Sequence, residues 1–458
     1  MSKKISSSTG STRFSAGTGI TVGAQTINLI VGIGTSVILA RTLGPEGKGI
    51  YALAVLLSSL IVTFGNLGIG SATVYYVARG EFRRQEVLGN NILLSIGIGG
   101  IGVVTGLIVV LFFRETIFPG VAHGYLLVVL LLVPVQVFFS YVGYVLLGAQ
   151  RIKEFNYVQI AHSVLFLGFV ALALLGLRAG VNGAILAGLF AWLVTDLLVF
   201  RLARQVSGGI DIKLNTTYIK RAATYGIQAH LANILWFLNF RLDMFLVNGF
   251  LGPAAVGLYS VGVTLAERLW MVSQAASIVL FPRVSAETKE KRRKEFTPLV
   301  ARSVFWVTAL GALILAFLSH WIVLLLYSEA FLPAVGALQA LLPGIVAVSA
   351  GRVLGEDIAG RGQPILNTYR AAITVGTNIA LNLLWIPRYG ITGAAWASTV
   401  SYIVSFLSAL FFYCRLSGNS WPNVIFPQRG DWGVYWRTAA SLERWIYGKL
   451  RSVLIKLG

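Results

Sequence analysis

The chain has 458 residues, of which 56% are hydrophobic and 12% are charged, and its mean hydropathy is +0.77. Soluble domains carry about twice that share of charge, so this composition excludes a soluble globular protein and indicates a polytopic membrane protein. The net charge of +20 is interpreted as the excess of Lys and Arg that membrane proteins place in cytoplasmic loops, so we expect no nucleic-acid partner.

Twelve apolar segments are predicted as transmembrane helices, because each is a long run of mostly apolar residues. Their approximate ranges are 17–40, 49–78, 89–113, 125–147, 156–177, 182–202, 225–250, 255–281, 300–327, 333–359, 367–386 and 392–413. A basic, Ser-rich cytoplasmic tail (1–16) precedes them and has no apolar core, so it does not predict a cleaved signal peptide.

The second predicted helix begins within a sequence that occurs twice. Residues 43–57 read LGPEGKGIYALAVLL, and residues 251–265 read LGPAAVGLYSVGVTL, 208 positions later. Gly180-Val-Asn-Gly-Ala184 likewise matches Gly390-Ile-Thr-Gly-Ala394 after 210 positions. Two landmarks in register indicate a duplication. Because six spans are an even number, both halves enter the membrane in the same orientation, which predicts a pseudo-two-fold axis along the membrane normal.

The predicted fold is therefore an all-α polytopic membrane protein of about twelve transmembrane helices in two six-helix lobes. We place the N-terminal lobe at 17–204, a cytoplasmic linker at 205–222 and the C-terminal lobe at 223–414. The loops on one side of the membrane carry most of the basic residues, including Arg79, Arg83, Arg84, Arg151, Lys153, Lys213 and Lys220. The positive-inside rule makes that side cytoplasmic and puts both termini there, in a multi-pass protein of the cell membrane.

The C-terminal segment 415–458 is predicted to be a cytoplasmic tail. From Asp431 onward, tryptophans such as Trp432 and Trp436 alternate with basic residues such as Arg437 and Arg444. This pattern predicts an amphipathic helix that lies on the anionic lipids of the cytoplasmic leaflet.

Polar side chains inside the predicted spans are the first candidates for function, because apolar spans do not need them. The candidates are Gln25, Asn28, Asn66, Asn233 and Gln274, and the repeat offset of 208 relates Asn66 to Gln274. Two interpretations stay open. The side chains line a hydrated cavity shared by the lobes, or they join helices through hydrogen bonds.

Three arginines, Arg241, Arg268 and Arg352, lie deep in predicted spans. An arginine at a helix centre costs about 2.5–3.5 kcal/mol on insertion scales, so each needs a partner or water. Pairing is one possibility: Arg241 with Asp243 or a neighbouring helix, Arg268 with Glu267 across spans, and Arg352 with Glu356 one turn later. A cationic cavity for a phosphate-bearing ligand is the other, since the guanidinium fork suits phosphate oxygens.

Other ionisable residues are weaker candidates. Asp196 near the middle of the sixth span and Asp243 in the seventh are candidates for proton or cation coupling. Arg370 lies near the cytoplasmic end of its helix, where its side chain can snorkel toward water. The single cysteine excludes an internal disulfide, and the four scattered histidines lack metal-ligand spacing, so no metal or cofactor is expected.

Several motifs together are similar to a known family. They are Arg41-Thr-Leu-Gly-Pro-Glu-Gly-Lys-Gly-Ile-Tyr51, Arg241-Leu-Asp243, Leu251-Gly-Pro253 with Gly257-Leu-Tyr259, and Phe281-Pro-Arg-Val-Ser285. In this order they resemble the polysaccharide-transport (oligosaccharide flippase) family of the multidrug/oligosaccharidyl-lipid/polysaccharide exporter superfamily, over about residues 14–415. The resemblance implies two six-helix lobes that alternate between inward-open and outward-open states around a central cavity. It also implies the cargo, an oligosaccharide on a polyprenyl pyrophosphate carrier that moves from the cytoplasmic to the outer leaflet.

On this hypothesis Arg241, and secondarily Arg268 and Arg352, contact the pyrophosphate. The sugar hydroxyls would meet the polar candidates Gln25, Asn28, Asn66, Asn233 and Gln274. We expect no enzymatic activity and no catalytic residues, and the segment GPEGKG at 44–49 lacks the spacing of an ATP-binding loop.

The alternative within the same superfamily is an ion-coupled multidrug exporter, which would use a carboxylate such as Asp196. A membrane-embedded polymerase or glycosyltransferase would need paired carboxylates or a large outer loop, and the sequence shows neither. A polysaccharide polymerase or glycosyltransferases remain candidate partners beside the lipid-linked substrate and anionic lipids.

Overall fold

The computed structural model describes residues 8–287, 290–428 and 430–431. The helices of the first half are α1 (Ser8–Gly65), α2 (Ile69–Arg79), α3 (Arg84–Phe112), α4 (Arg114–Ile117), α5 (His123–Val129), α6 (Leu132–Gly148), α7 (Ile152–Ala171) and α8 (Gly180–Ser207). Those of the second half are α9 (Thr216–Leu251), α10 (Pro253–Glu267), α11 (Trp270–Ala286), α12 (Glu290–Tyr327), α13 (Ala334–Gly360), α14 (Ile365–Ser417) and α15 (Trp421–Ile425). A π-helical turn, Leu172–Gly176, extends α7.

Nine stretches of the described residues are long and apolar enough to cross a membrane. They are Gly23–Gly65, Arg84–Phe112, His123–Gly148, Ile152–Gly176, Gly180–Ser207, His230–Leu251, Arg292–Tyr327, Ala334–Gly360 and Ile365–Ser417. Their outward side chains are large and apolar, as with Phe112 at 76% and Phe317 at 84% exposure, which suits contact with lipid. The all-α polytopic membrane fold is thus confirmed, while the division into twelve spans in two lobes stays a prediction.

Two of the long helices bend at glycine. The backbone is non-helical at Gly44 in α1 (φ 67°) and at Gly390 in α14 (φ 59°). Glycine tolerates positive φ, and Pro45 and Pro387 beside the bends remove helical hydrogen bonds. Both bends fall where the sequence predicts the end of a span.

Two predicted spans are not continuous helices. The span predicted at 49–78 breaks between α1 and α2, where Leu67 and Gly68 both have positive φ, and the span predicted at 255–281 breaks between α10 and α11. The first break has a packing cause, because a Cβ on Gly68 would lie 2.2 Å from the carbonyl oxygen of Gly226 on α9. The close approach of another helix, which the sequence does not show, fixes this break.

The core of the second half is built around α13, which packs against α10, α11, α12 and α14. Buried residues on α13 run from Ala334 to Ile358 almost without interruption. In the first half the buried layer lies between α1, α3, α6 and α8, with Tyr141 fully buried. A single hydrophobic cluster includes residues of both halves, so the halves pack directly against each other.

The halves contact each other through the repeated sequence itself. At the turn end of the molecule, which carries Gly44 and Gly252, the start of α10 crosses α1 just after its bend. A Cβ on Gly49 would lie 1.7 Å from the carbonyl oxygen of Pro253, and a Cβ on Gly257 would lie 1.8 Å from that of Pro45. Only glycine permits this approach, and it does so reciprocally. We call this contact the glycine seam.

Side-chain hydrogen bonds support the glycine seam. The Nε of Arg41 donates to the carbonyl oxygen of Leu326, near the end of α12, at 2.8 Å. The Nδ2 of Asn248 on α9 donates to the carbonyl oxygen of Pro119 at 3.2 Å. Both bonds join the two halves at the turn end, which they help to close.

At the opposite end, which we call the linker end, residues 208–215 lie against the beginning of α3. Asn90 Oδ1 accepts a hydrogen bond from the Asn215 backbone N–H at 2.9 Å, and Asn90 Nδ2 donates to the Lys213 carbonyl at 3.1 Å. The non-helical connection thus lies within the predicted linker 205–222, and the lobe boundaries at 17–204 and 223–414 stay predictions.

The predicted amphipathic tail helix lies outside the described residues, apart from Asp431. The Asp431 carboxylate forms a buried ion pair with Arg302 on α12, and Arg302 Nη1 also donates to the carbonyl of Asn423 at 2.8 Å. The predicted N-terminal tail 1–16 is helical from Ser8 onward, and residues 1–7 lie outside the described part.

Candidate functional site

A cavity of about 790 Å³ lies at the linker end, between α9, α13 and the beginning of α14. Its lining includes Asn233, Trp236, Phe240, Arg352, Glu356, Asn367 and Arg370. We call it the arginine cavity. Its lining also includes Ala359 at the end of α13 and Pro364 and Ile365 at the beginning of α14.

The charge of the arginine cavity is positive, because its lining has two arginines and one glutamate. Glu356 interacts electrostatically with both Arg352 and Arg370. The Arg370 guanidinium lies 5.1 Å from the ring centre of Trp236, and that of Arg352 lies 5.5 Å from the ring centre of Trp270. Such contacts with aromatic faces hold the cations in place without neutralising them. An anionic group is thus the ligand that this cavity fits best.

The side chain of Arg370 is buried, whereas its place in the sequence suggested that it reaches toward water. Instead of snorkelling toward water it is 5% exposed, and its Nη1 donates to the Gly351 carbonyl at 2.9 Å. A Cβ on Gly355 would lie 2.9 Å from its guanidinium nitrogens, so the small residues of α13 make room for it. A position near a helix end favours snorkelling. In the structure, contacts with α13 hold the side chain inside the protein instead.

Arg241 does not belong to the lining of the arginine cavity. Its guanidinium pairs with Glu267 on α10, with Nη1 2.7 Å from Oε1 and Nη2 3.2 Å from Oε2. This two-bond arrangement is the strong form of an arginine–carboxylate pair. Of the pairings that the sequence left open, the structure thus shows the one with a neighbouring helix. Glu267 also interacts electrostatically with Arg352, which places the pair beside the cavity.

The two candidate coupling carboxylates lie in different halves. Asp243 is buried and accepts hydrogen bonds from the Tyr259 hydroxyl at 2.6 Å and the Ser398 hydroxyl at 3.2 Å. Asp196 lines an apolar groove of about 940 Å³ between α3, α6 and α8. Its Oδ1 is buried and has no hydrogen-bond partner among the described residues. The hydrogen bonds of Asp243 suit a structural role, while Asp196 keeps an unused acceptor.

The predicted polar residues are dispersed. Asn233 is exposed in the arginine cavity together with Arg352, and Gln274 is exposed on α11. The amide oxygens of Gln25 and Asn28 on α1 are buried and have no partner among the described residues. Asn66 lies at the break after α1, where its backbone oxygen accepts from the Ile69 N–H at 3.0 Å. The structure therefore brings together Arg352 and Asn233 and leaves the other candidates elsewhere.

Arg268 lines a second, smaller cavity of about 340 Å³ with Lys48, between α1, α7 and α10. Lys48 was not among the predicted site residues. The signal that could have found it is a lysine one turn into an apolar helix, directly after a Gly-Pro turn. We call this space the Lys48–Arg268 cavity.

Two relatives are similar to the chain over most of its length. The "Probable low-salt glycan biosynthesis flippase" of Haloferax volcanii is 22% identical over 82% of this chain and 80% of its own. The "Putative O-antigen transporter" of Shigella flexneri is 22% identical over 82% of this chain and 92% of its own.

Solved structures share the fold. An inward-facing multidrug resistance MATE family transporter superposes with a TM-score of 0.71 over 85% of this chain and 94% of that one, at 17% identity. The lipid II flippase MurJ in an inward closed conformation gives a TM-score of 0.71 over 85% of this chain and 86% of that one, at 16% identity.

Family models match two overlapping parts of the chain. Residues 229–384 match the model described as MatE. Residues 14–287, more than half of the chain, match the model described as Polysaccharide biosynthesis protein. With its polytopic helical fold and cationic cavity, the chain belongs to the polysaccharide biosynthesis protein family.

Proposed function

We propose that the protein is a flippase that moves a polyprenyl-pyrophosphate-linked oligosaccharide, a precursor of surface polysaccharide, from the cytoplasmic to the outer leaflet. The observation that carries the proposal is the net positive arginine cavity inside a membrane-spanning fold. The names of the two relatives, a glycan biosynthesis flippase and an O-antigen transporter, support the same class of cargo.

The physical need for such a cavity follows from the charge of the cargo. Moving an isolated ionised group into hydrocarbon costs on the order of tens of kcal/mol by the Born estimate, so a pyrophosphate does not cross a bilayer unaided. Arg352 and Arg370 replace part of its hydration with charge-assisted hydrogen bonds, for which the planar guanidinium is well suited. The polyprenyl chain stays in lipid while the headgroup passes through the protein.

Among the predicted ligands of the pyrophosphate, Arg352 is the one already in the cavity. Arg241 reaches an anion only if its bonds to Glu267 rearrange, so we assign it a second contact during the conformational cycle. We also propose that Asn233, which lines the same cavity, contacts sugar hydroxyls, and that Gln25, Asn28, Asn66 and Gln274 do so at other stages of the cycle.

The orientation is part of the proposal. The loops rich in Arg and Lys lie at the linker end, where Arg83 pairs with Asp211 and Arg221 with Glu81. The positive-inside rule makes the linker end cytoplasmic, with both termini there, in the cell membrane. The arginine cavity then opens to the cytoplasm, while the glycine seam closes the outer side. Enzymes that polymerise or transfer the sugars are proposed partners.

The test is flipping of a lipid-linked oligosaccharide in proteoliposomes, followed by the accessibility of its sugars to an enzyme added outside. We expect wild-type protein to flip the lipid and the Arg352→Gln, Arg370→Gln double variant to lose at least about tenfold in rate. Each charge-assisted bond is worth about 1.5–3 kcal/mol, and about 1.4 kcal/mol is a factor of ten. Wild-type rates in this variant, with normal folding, would contradict the proposal.

One observation favours the ion-coupled drug exporter as a second candidate, namely the unpartnered carboxylate oxygen of Asp196. On that reading a proton gradient drives efflux of cationic drugs, and Asp196→Asn abolishes it. The same proteoliposomes, loaded with a fluorescent cationic dye, decide between the two functions.

A further inference from the structure

The Lys48–Arg268 cavity joins the two halves of the protein and is separate from the arginine cavity. Its wall comes from α1 and α7 of the first half and from α10 of the second. Lys48 and Arg268 supply its charge, and Thr35, His162 and Thr264 supply polar groups. None of these five residues belongs to the lining of the arginine cavity.

Neither cation in this cavity is neutralised by the described residues. Lys48 is only 7% exposed, makes no ion pair or hydrogen bond within that part of the chain, and lies 5.7 Å from the ring centre of Tyr51. Arg268 makes no ion pair there either, and its buried Nε has no acceptor. Burying a cation is costly unless it is paired, and a second unpaired cation in the same cavity adds repulsion. An anionic ligand would neutralise these cations, so the cavity favours a ligand of opposite charge.

The nearest acidic residues in the sequence are engaged or point elsewhere. Glu267 precedes Arg268 directly but forms two hydrogen bonds with Arg241. Glu46 is exposed and lies two positions before Lys48, a spacing at which side chains do not share a helix face. Local carboxylates thus do not supply the missing counter-charge.

The two cations line the same small cavity from different helices. The Arg268 guanidinium lies beside Gly32, where a Cβ would be 3.3 Å from Nη2. Because both side chains line one cavity of about 340 Å³, an anion bound there can contact Lys48 and Arg268 at the same time.

We propose that the Lys48–Arg268 cavity is a second diphosphate-binding site, which the headgroup occupies after the arginine cavity and before release at the turn end. The inference rests on the proposed flippase function. Lys48 lies three positions beyond Pro45, whose carbonyl is part of the glycine seam. An anion bound to Lys48 on α1 and Arg268 on α10 therefore contacts both helices that must separate when the turn end opens.

The test counts binding sites. Full-length protein in detergent is titrated with farnesyl diphosphate by calorimetry, with farnesol as the uncharged control ligand. We expect two equivalents on wild-type protein, one on the Lys48→Gln, Arg268→Gln double variant and one on the Arg352→Gln, Arg370→Gln double variant. Lys153→Gln, which removes an exposed lysine at the beginning of α7, is the matched control and keeps both equivalents.

A thermal melt separates binding from folding. Because Lys48 is buried and neither cation is paired among the described residues, the Lys48→Gln, Arg268→Gln variant should melt at or above the wild-type temperature while its flipping rate falls at least about tenfold. Lys48→Arg keeps the positive charge and should still bind two equivalents of farnesyl diphosphate. It therefore tests the role of the charge even if the glutamine variant folds poorly.

The outcomes distinguish the two proposals. One equivalent on wild-type protein, lost only with Arg352 and Arg370, overturns the second site and leaves the flippase function standing. One equivalent lost only with Lys48 and Arg268 supports this site and contradicts the arginine cavity as the entry site. No binding to wild-type protein overturns both.

Discussion

Arg241 and Glu267 show how a charged residue is held inside the membrane-spanning part of the fold. Their side chains are 30% and 20% exposed, and two hydrogen bonds join them across α9 and α10. Glu267 also acts electrostatically on Arg352, so one carboxylate serves two arginines. Removing it should therefore affect more than its direct partner.

We predict that Glu267→Ala lowers the free energy of unfolding by about 2 kcal/mol, because hydrogen bonds to charged groups are worth about 1.5–3 kcal/mol each and water recovers part of the loss. The measurement is thermal or denaturant unfolding of the purified protein. The Arg241→Met, Glu267→Met pair should recover much of this loss, since it leaves no unpaired charge. A double variant less stable than Glu267→Ala would contradict this account.

The ion pair between Arg302 and Asp431 fastens the last described residue to α12. Burial raises the pKa of Asp431, but hydrogen bonds from Arg302 outweigh it and hold that pKa below the ordinary value of 3.8. Because the folded-state pKa is lowered, the carboxylate contributes stability above pH 3.8, and this contribution is lost as the pH falls through the folded value.

We predict that Asp431→Asn loosens the segment 421–431 at pH 7, measured as faster hydrogen exchange of its backbone amides. The wild-type protein and the variant should converge only as the pH falls through the lowered folded-state pKa of Asp431, because the wild-type side chain loses its charge there. Equal exchange at pH 7 would show that the ion pair does not hold this segment.

The sequence could predict single residues where composition alone marks them. Arg352 and Asn233 are conspicuous as polar residues in apolar spans, and the structure places both in the arginine cavity. The pairing of Arg241 with Glu267 depends on how α9 and α10 pack, which one sequence does not show. The position of Lys48 after the Gly-Pro turn marks it in the sequence, but a lysine next to a turn ordinarily reaches water, so its burial could not be predicted.

At the scale of elements, residues 208–215 of the linker pack closely against α3 because residue 89 is a glycine. A Cβ on Gly89 at the beginning of α3 would lie 1.9 Å from the carbonyl oxygen of Asp211. We predict that Gly89→Ala displaces residues 208–215, which trypsin would detect as faster cleavage after Lys213. Gly97→Ala, on the same helix with no atom within 4 Å of the added Cβ, is the matched control.

We also predict how the control variant changes the melting temperature. Replacing an exposed helical glycine with alanine stabilises a helix by about 0.5–1 kcal/mol, so Gly97→Ala should melt at or above the wild-type temperature. Gly89→Ala gains the same helix propensity, but its new Cβ also forces the backbone at Asp211 to shift. If both variants cleave at the wild-type rate, the contact at Gly89 does not hold the linker.

The helices were predictable from apolar run length, and the Gly-Pro turns from backbone chemistry. The interruptions between α1 and α2 and between α10 and α11 were not, because neither break contains a proline and a long apolar run continues beyond each. At the first break the nearby Gly226 of α9 occupies the space that a Cβ on Gly68 would need. Local sequence predicts a helix end well at a Gly-Pro turn. It predicts a helix end poorly where packing against another helix causes it.

At the scale of the whole molecule, the glycine seam holds the two halves together at the turn end. We predict that Gly257→Ala forces this contact apart, because the new Cβ would lie 1.8 Å from the Pro45 carbonyl oxygen. In a Cys414→Ser background, Val121→Cys reports on the opening, since Val121 is fully buried and follows Gly120, whose added Cβ would lie 3.0 Å from Cδ of Pro253. Its reaction with a membrane-impermeant maleimide should accelerate at least about tenfold.

Gly249→Ala, near the end of α9, is the matched control because no atom lies within 4 Å of its added Cβ. It should leave the reactivity of Val121→Cys unchanged. Slow labelling in both variants would mean that the seam does not restrict access at this end.

The two-fold character of the glycine seam has a chemical consequence. Gly49 approaches Pro253 just as Gly257 approaches Pro45, which is the reciprocity of a dimer of identical subunits. Such a dimer would repeat every side chain of its interface, and any binding site beside the axis would occur twice. Here the repeat places Val256 where the first half has Lys48, so the charge occurs on one side only. If the headgroup passes this contact as proposed, the symmetric glycine seam borders a path whose charge lies on one side only.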